Sequence, residues 1–313
     1  MLSIVIISWN TRDLLAACLT SLRTYPPDGD HEIVVVDNAS RDDSTAMVRR
    51  DFPHVHLLEN PTNVGFAAAN NQALALCRGR YVLLLNSDTE VTPGTLSALV
   101  SFMEQHPQAG VVAPTLVNPD GSFQASYARF PTFVSEFLLI TRLARWLSGP
   151  YAPSPRPRIN EPSHPVDWVA GAALLVRREA IDQVGGLDAG YFMYSEETDW
   201  CWRLWQHNWQ VWYLPAVKVI HHGGASSRQR GAASYAQLYA SKVRFFERAY
   251  GPAAAGRLRT LFRLVAAARG LTWRILRFVT PSPAGRVRLQ QRLAREQQLA
   301  EQLSHDPSLE FST

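Results

Sequence analysis

The sequence predicts an α/β fold: a mostly parallel central sheet flanked by helices, with a helical extension at the C-terminal end. Three observations carry that expectation. Strand-like and helix-like segments alternate through residues 3–88. The strand-like segments are continuous apolar runs rather than alternating ones, which suits strands covered on both faces. Each run stops abruptly at small polar residues. Alternation of this kind is the rhythm of βαβ units.

The first run, "SIVIISWN" (3–10), is rich in β-branched residues and ends at Asn10. Residues 11–24 then space Leu14, Leu15, Cys18, Leu19 and Leu22 as one face of a helix. "EIVVVDNAS" (32–40) is a second strand ending in Asp37-Asn38, and 41–52 reads as a helix. "HVHLLEN" (54–60) alternates like a short strand. "GFAAANNQALALC" (65–77) is alanine-rich and helical, and "YVLLLNSD" (81–88) is the fourth strand. In parallel sheets ligands gather at the carboxyl ends of strands. Asn10, Asp37 and Asn86-Ser87-Asp88 are therefore expected to converge.

The second half is less regular. The proline-rich stretch 149–165 predicts a surface loop. "DWVAGAALLVRREAIDQVGGLD" resumes with a strand and a helix that stops at Gly185-Gly186. Residues 191–214 hold an acid- and aromatic-rich helix followed by the strand "WQVWYL". From about 233 the pattern is helical and basic.

Composition bounds the class. The 313 residues, 46% hydrophobic and 19% charged, suit one large globular domain with an appendage. The net charge of +4 is unevenly placed: from Lys242 onward thirteen Lys/Arg face five acids. Three widely spaced cysteines fit neither a disulfide framework nor a zinc site, and a reducing cytosol is the simplest setting. The N-terminus lacks the basic region of a signal peptide. No stretch reaches the roughly 18 uncharged apolar residues of a membrane span.

Four polar clusters carry candidate chemistry. Asn86-Ser87-Asp88 offers hard oxygen ligands to a divalent cation, or it caps the helix that follows near Pro93. Asp37-Asn38-Ala39-Ser40 offers a carboxylate for a pyrimidine N3–H or a ribose hydroxyl, or it caps the helix at 41–52. Glu196-Glu197-x-Asp199 sits among Tyr191, Phe192, Tyr194, Trp200 and Trp202. Partial desolvation there would lift a carboxylate toward a general base's range. The alternative is a helix start whose acids complement the dipole, with Arg203 the i+4 partner of Asp199. His221-His222-Gly223-Gly224 ends a strand-like run and could bind a metal or a phosphate.

Taken in order, these segments resemble family 2 glycosyltransferases, and most of all their bacterial rhamnosyltransferase-like branch. The motifs are 3–10, Val36 to Ser40, Asn63 to Asn70, Leu85 to Asp88, Gly171, Glu196-Glu197-x-Asp199-x-Cys-x-Arg203 and His221-x-Gly-Gly-x-Ser226. The resemblance implies the GT-A nucleotide-diphospho-sugar transferase fold and inverting transfer of a sugar onto an acceptor hydroxyl. It also implies site roles. Asp37 reads the base. Asn10, Asn38, Asn63, Gly65, Phe66, Asn70 and Asn86 lie on the nucleotide and donor side. Asp88 and His221 hold a divalent metal, Mg²⁺ or Mn²⁺. Glu197, with Glu196 as its substitute, is the catalytic base, and Gly171, Asp199 and Arg203 lie on the acceptor side. Two departures stand out: Asn86 replaces the first aspartate of the metal motif, and Glu197 replaces an aspartate.

The implied layout is a catalytic domain over 1–232, with a nucleotide-binding half at 1–115 and an acceptor half at 116–232. A basic helical extension follows over 233–313. The expected donor is a UDP- or dTDP-sugar, with dTDP-rhamnose one candidate. The expected acceptor is a glycan or polyprenyl-linked sugar of surface polysaccharide synthesis. Residues 257–279 interleave arginines with apolar side chains at helical spacing. That pattern suits contact with the inner face of a cell membrane, or a helix packed on the domain with its basic face in water. No nucleic-acid module accompanies the charge. Two other readings are a nucleotidyltransferase, which would need more basic residues near the first strand than Arg12, and a non-catalytic nucleotide-sugar-binding partner of a glycan-assembly complex.

Overall fold

A computed structural model describes residues 1–143, 154–158, 160–224, 229, 231–280 and 282–304. The chain divides into two compact units. The first comprises Met1–Phe130, Ala152–Ala189 and Glu196–Ser226; the second comprises Pro131–Tyr151, Gly190–Ser195 and Ser227–Thr313.

The first unit is built on one twisted sheet. Its parallel half contains β1 (Leu2–Ser8), β2 (His31–Asp37), β3 (His56–Glu59) and β4 (Tyr81–Asn86), joined by α1 (Arg12–Thr24), α2 (Ser44–Asp51) and α3 (Phe66–Leu76). β1 is buried along its whole length, and Ile4, Ile6, Val35, Leu83 and Leu85 belong to the central core. This is why the apolar runs are unbroken: both faces are covered by helices.

Beyond β4 the sheet continues with strands distant in sequence. The order is β3-β2-β1-β4-β11-β6-β12-β5, where β5 is Thr89–Val91, β6 Ala109–Val117, β11 Ala173–Arg177 and β12 Gln210–His221. α4 (Thr95–Gln105) connects β5 to β6. β11 runs antiparallel to both β4 and β6, and β12 runs parallel to β6. The start of β11 and the end of β12 therefore lie at the same sheet edge as the carboxyl ends of β1, β2 and β4. The short strand β7 (Phe123–Gln124) pairs with β6, β9 (His164–Pro165) pairs with β12, and β8 (Tyr127–Ala128) pairs with β10 (Trp168–Val169). α6 (Arg178–Val184) and α7 (Glu196–Gln206) complete the unit.

The second unit is helical: α5 (Phe133–Ile140), α8 (Ala232–Tyr250), α9 (Pro252–Val279) and α10 (Pro283–Gln302). α5 and residues 190–195 cluster with these C-terminal helices, whereas a linear division at residue 232 assigns them to the first part of the chain. The reason is a set of long-range contacts. Lys242 Nζ meets the buried Glu136 carboxylate at 2.6 Å, Tyr250 Oη donates to the Pro131 carbonyl, and Ser241 Oγ donates to the Met193 carbonyl. Phe245, Phe246, Leu258 and Phe262 are fully buried.

Candidate active site

At the carboxyl edge of the parallel strands, the loops after β1 and β2 are laced together. Ser40 Oγ accepts from the Asn10 amide, and Asn10 Oδ1 accepts from the Arg41 amide at 2.7 Å. Asn10 and Ala39 both hold positive φ, at 52° and 64°. These loops line a cleft of about 680 Å³ with Trp9, Asp37, Thr45, Asn60 and Asn63. Asp37 is buried, and its Oδ2 accepts from the Ser40 amide. Its Oδ1 has no hydrogen-bond partner. A buried carboxylate oxygen without a donor is costly, and here it belongs to a cleft-lining residue. Asp37 to Ser40 do not cap α2, whose N-cap is Asp43.

Asn38 is committed elsewhere. Its amide nitrogen donates to Asn63 Oδ1 and the Gly65 carbonyl, while its oxygen accepts from Asn60 Nδ2 and the Val64 amide. It fixes the 60–65 loop. Asn63 Oδ1 also accepts from the Gly65 amide. Gly65, at φ 89°, turns the chain into α3, where Phe66 is the first residue and Asn70 donates back to its carbonyl. The Asn38 side chain thus shapes the 60–65 loop that lines the cleft, while Asn70 is turned back onto its own helix.

At the end of β4, Asn86-Ser87-Asp88 does not cap α4, whose N-cap is Gly94, because β5 intervenes. Ser87 Oγ is instead hydrogen-bonded to Thr11 Oγ1 at 2.9 Å, behind the strand end. Asp88 faces His221: Oδ1 lies 3.3 Å from Nε2. The pairing of β5 with β12, which sets His221 opposite Thr89, creates that approach.

The His221 tautomer follows from its neighbours. Gln124 Nε2 donates to the His221 backbone carbonyl at 2.5 Å and to Asn118 Oδ1 at 2.6 Å. A carbonyl can only accept, so the Gln124 orientation is fixed and its Oε1 accepts from His221 Nδ1–H at 2.9 Å. In the neutral ring Nε2 then carries a lone pair facing a carboxylate oxygen. Two acceptors this close call for a proton or a cation between them. Asp88 and His221 therefore suit a divalent metal that takes its other ligands from phosphate and water. Among the described residues no cluster of three or more His, Cys, Asp or Glu could hold a metal without such help. Gln124, one residue in a two-residue strand, carries no sequence signal of its own.

The third group is the Glu196-Glu197 pair at the start of α7. Tyr194 and Ser195 precede it with φ of 72° and 65°, two consecutive left-handed non-glycine residues costing about 1–2 kcal/mol each. The Oε2 atoms of Glu196 and Glu197 are both buried without a hydrogen-bond partner. Burial pushes the Glu197 carboxyl up to about 7, against hydrogen bonds from the backbone of Glu197, Thr198 and Gly171 that pull it down. Burial, then the charge of Glu197, also raises Glu196. Of the five orphaned buried side-chain polar atoms among the described residues, three belong to Asp37, Glu196 and Glu197. Unsatisfied buried groups concentrate where function demands them.

The start of β11 joins the groups. The Gly171 amide serves the Glu197 carboxylate, and the Ala172 carbonyl accepts from the Asn86 amide at 2.9 Å. Asp199 and Arg203 secure α7 from behind. Arg203 Nε donates to Asp199 Oδ2 at 2.8 Å, and its other nitrogens donate to the Val184 and Gly186 carbonyls. Trp200 Nε1 donates to the Gly185 carbonyl. A Cβ at Gly186 would push on Asn71 Oδ1, which accepts from the Leu187 amide, so a side chain there would disturb the turn that receives Arg203. Asp199 and Arg203 hold the helix that carries Glu197.

Residues 3–185, more than half of the chain, match the family model of glycosyl transferase family 2. The chain belongs to that family. This glycosyltransferase is 30% identical over 257 residues to the N-acetylglucosaminyl-diphospho-decaprenol L-rhamnosyltransferase of Mycobacterium tuberculosis (strain ATCC 25618 / H37Rv), covering 78% of this chain and 83% of that protein. It is 26% identical to rhamnosyltransferase WbbL of Escherichia coli (strain K12), covering 79% and 93%. Its fold is that of the GT-A enzymes. The mannosyltransferase PcManGT of Pyrobaculum calidifontis, solved with GDP-Man and Mn²⁺, superposes with a TM-score of 0.54 at 18% identity, covering 97% of this chain and 86% of that one. GalNAc-T7, solved with UDP, GalNAc and Mn²⁺, superposes at 0.56 with 17% identity, covering 79% and 47%.

Proposed function

We propose that this glycosyltransferase is an inverting, divalent-metal-dependent enzyme. It moves a sugar, with L-rhamnose the leading candidate, from a UDP- or dTDP-linked donor to a hydroxyl of a lipid-linked glycan acceptor in surface-polysaccharide synthesis. The observation that carries the mechanism is Glu197: buried, with one oxygen unpartnered and its carboxyl raised to about 7. A base poised near the working pH accepts a proton most effectively.

In this reading the acceptor oxygen attacks the anomeric carbon and its proton passes to Glu197 Oε2. The bond from that carbon to the diphosphate oxygen breaks, and the sugar's configuration inverts. Asp37 Oδ1 accepts the N3–H of a uracil or thymine ring. Asp88 and His221 would hold Mg²⁺ or Mn²⁺, which when bound would offset the charge gathering on the departing diphosphate. The Mn²⁺ in the solved structures of PcManGT and GalNAc-T7 supports the metal. The names of the Mycobacterium tuberculosis and Escherichia coli relatives support rhamnose, and the first also supports a polyprenyl-diphosphate acceptor.

The test is a panel of UDP-, dTDP- and GDP-sugars with Mn²⁺, Mg²⁺ or EDTA, read as donor binding and as transfer to a polyprenyl-diphosphate-linked GlcNAc analogue. Metal-dependent binding of one pyrimidine donor is expected. Glu197→Gln should bind that donor normally and not transfer. Absence of metal-dependent binding for every donor would overturn the proposal.

A further inference from the structure

We propose that α5 and the distal half of α9 form a docking surface for an anionic lipid bilayer, lying among the headgroups rather than crossing the membrane. In α9 the buried side chains Ala255, Leu258, Phe262 and Ala266 recur at intervals of three and four residues and stop at Ala266. Beyond that point Leu271, Ile275, Phe278 and Val279 are 60%, 56%, 87% and 70% exposed. In the same stretch Gly270 lies beside Leu293 of α10, Arg292 of α10 stacks over Trp273, and Arg269 donates to Tyr235 of α8.

α5 shows the same character. Glu136, Leu138 and Ile140 face inward, while Phe133, Val134 and Phe137 face solvent. The two helices adjoin within the second unit, where Arg269 of α9 donates to the Ile140 carbonyl at the end of α5. Large apolar side chains exposed in groups mark a surface that meets something.

Charge selects the occupant. α9 holds six arginines and no acid in 28 residues. Arg274 and Arg277 are interleaved with the exposed apolar side chains. A two-fold pairing with a second copy would set this surface against itself, arginine against arginine. Phospholipid headgroups supply the missing negative charge, and arginine stems can lie along the apolar layer with their guanidinium groups at phosphate level. Among the described residues no helix is long and apolar enough to cross a membrane. An interfacial helix has this composition: arginines on one side, Leu, Ile and Phe on the other. The proposal does not depend on the identity of donor or acceptor.

The experiment is co-sedimentation of the full chain with vesicles of phosphatidylcholine mixed with phosphatidylglycerol, and of phosphatidylcholine alone. The protein should pellet with the mixed vesicles, weakly with the neutral ones, and less as salt rises. Ile275→Ser/Phe278→Ser/Val279→Ser should lower the bound fraction about tenfold or more at fixed lipid. Arg274→Gln/Arg277→Gln should do the same. All five positions are exposed, so melting temperature and donor binding should stay unchanged. Failure to bind mixed vesicles would overturn the proposal. So would binding that falls with the arginines yet survives the apolar variant, which is attraction to any polyanion. A concentration-dependent dimer broken by the apolar variant, without vesicle binding, would assign the surface to a second copy instead.

Discussion

Replacing Glu197 with Gln should make the protein more stable at alkaline pH while abolishing transfer. The folded carboxyl is raised to about 7 from its ordinary 4.5. Below 4.5 it is protonated in the folded and unfolded chains alike. Between 4.5 and 7 the unfolded chain has lost the proton and the folded one retains it, so stability falls as pH rises. Above 7 the full penalty of a buried charge is present. A shift of this size corresponds to roughly 3 kcal/mol. Gln keeps the shape and removes the charge, so the variant should match wild type at pH 4.5. At pH 8 it should melt about 5 °C higher, by the usual scaling for a chain of this size. Differential scanning fluorimetry of both proteins from pH 4.5 to 8.5, beside a transfer assay, measures this. Wild-type transfer should climb about tenfold per pH unit below 7 and level off above it. A melting difference independent of pH, or a variant less stable at pH 8, would refute the view of Glu197 as a buried, reluctantly charged base.

Gln124→Leu should weaken metal-dependent donor binding about 10–100-fold, because it frees the His221 ring; Mn²⁺ titration of donor binding by calorimetry checks it. Asp37→Ala should raise the Kd for a pyrimidine donor roughly tenfold or more by removing the N3–H acceptor, with little change in Kd for the metal-diphosphate moiety alone. Arg203→Leu removes the cation paired with the buried Asp199 carboxylate and the donors to the Val184 and Gly186 carbonyls, and should cost about 3–5 kcal/mol, read by denaturant unfolding. Arg203→Lys, which restores charge but cannot span both carbonyls, should recover only part of that loss.

The parallel half of the fold is legible because its contacts are local. Each strand is followed by its covering helix, and burial on both faces writes itself as an unbroken apolar run. Asp37, Asp88, Glu197 and His221 stand out as candidates for a related reason: each is a polar residue where an apolar run stops or an aromatic cluster begins. The pairing of β11 with β4, and of β12 with β5, is not written locally. It depends on strands some ninety residues apart or more, and it decides that His221 meets Asp88. Gln124 is invisible for the same reason, since its partner is 97 residues away. α5 reads as part of the first domain until Lys242 reaches Glu136 across 106 residues. Asn38, Asp199 and Arg203 have the chemistry of ligands, yet their side chains are spent on neighbouring loops and helix ends.

Gly171 and Ala172 have a consequence for engineering. One serves the carboxylate proposed as the base, and the next holds the strand end that carries Asp88. The spacing between the proposed base and the proposed metal ligand is thus gauged from a single pair of adjacent residues. Loops upstream can be lengthened or exchanged to recruit other acceptors, provided the change is absorbed before residue 171. A one-residue slip of β11 would shift that gauge by about 3.3 Å. Since a displacement of about 1 Å can cost a hundredfold in rate, a shift of even a third of that step would separate donor binding from transfer.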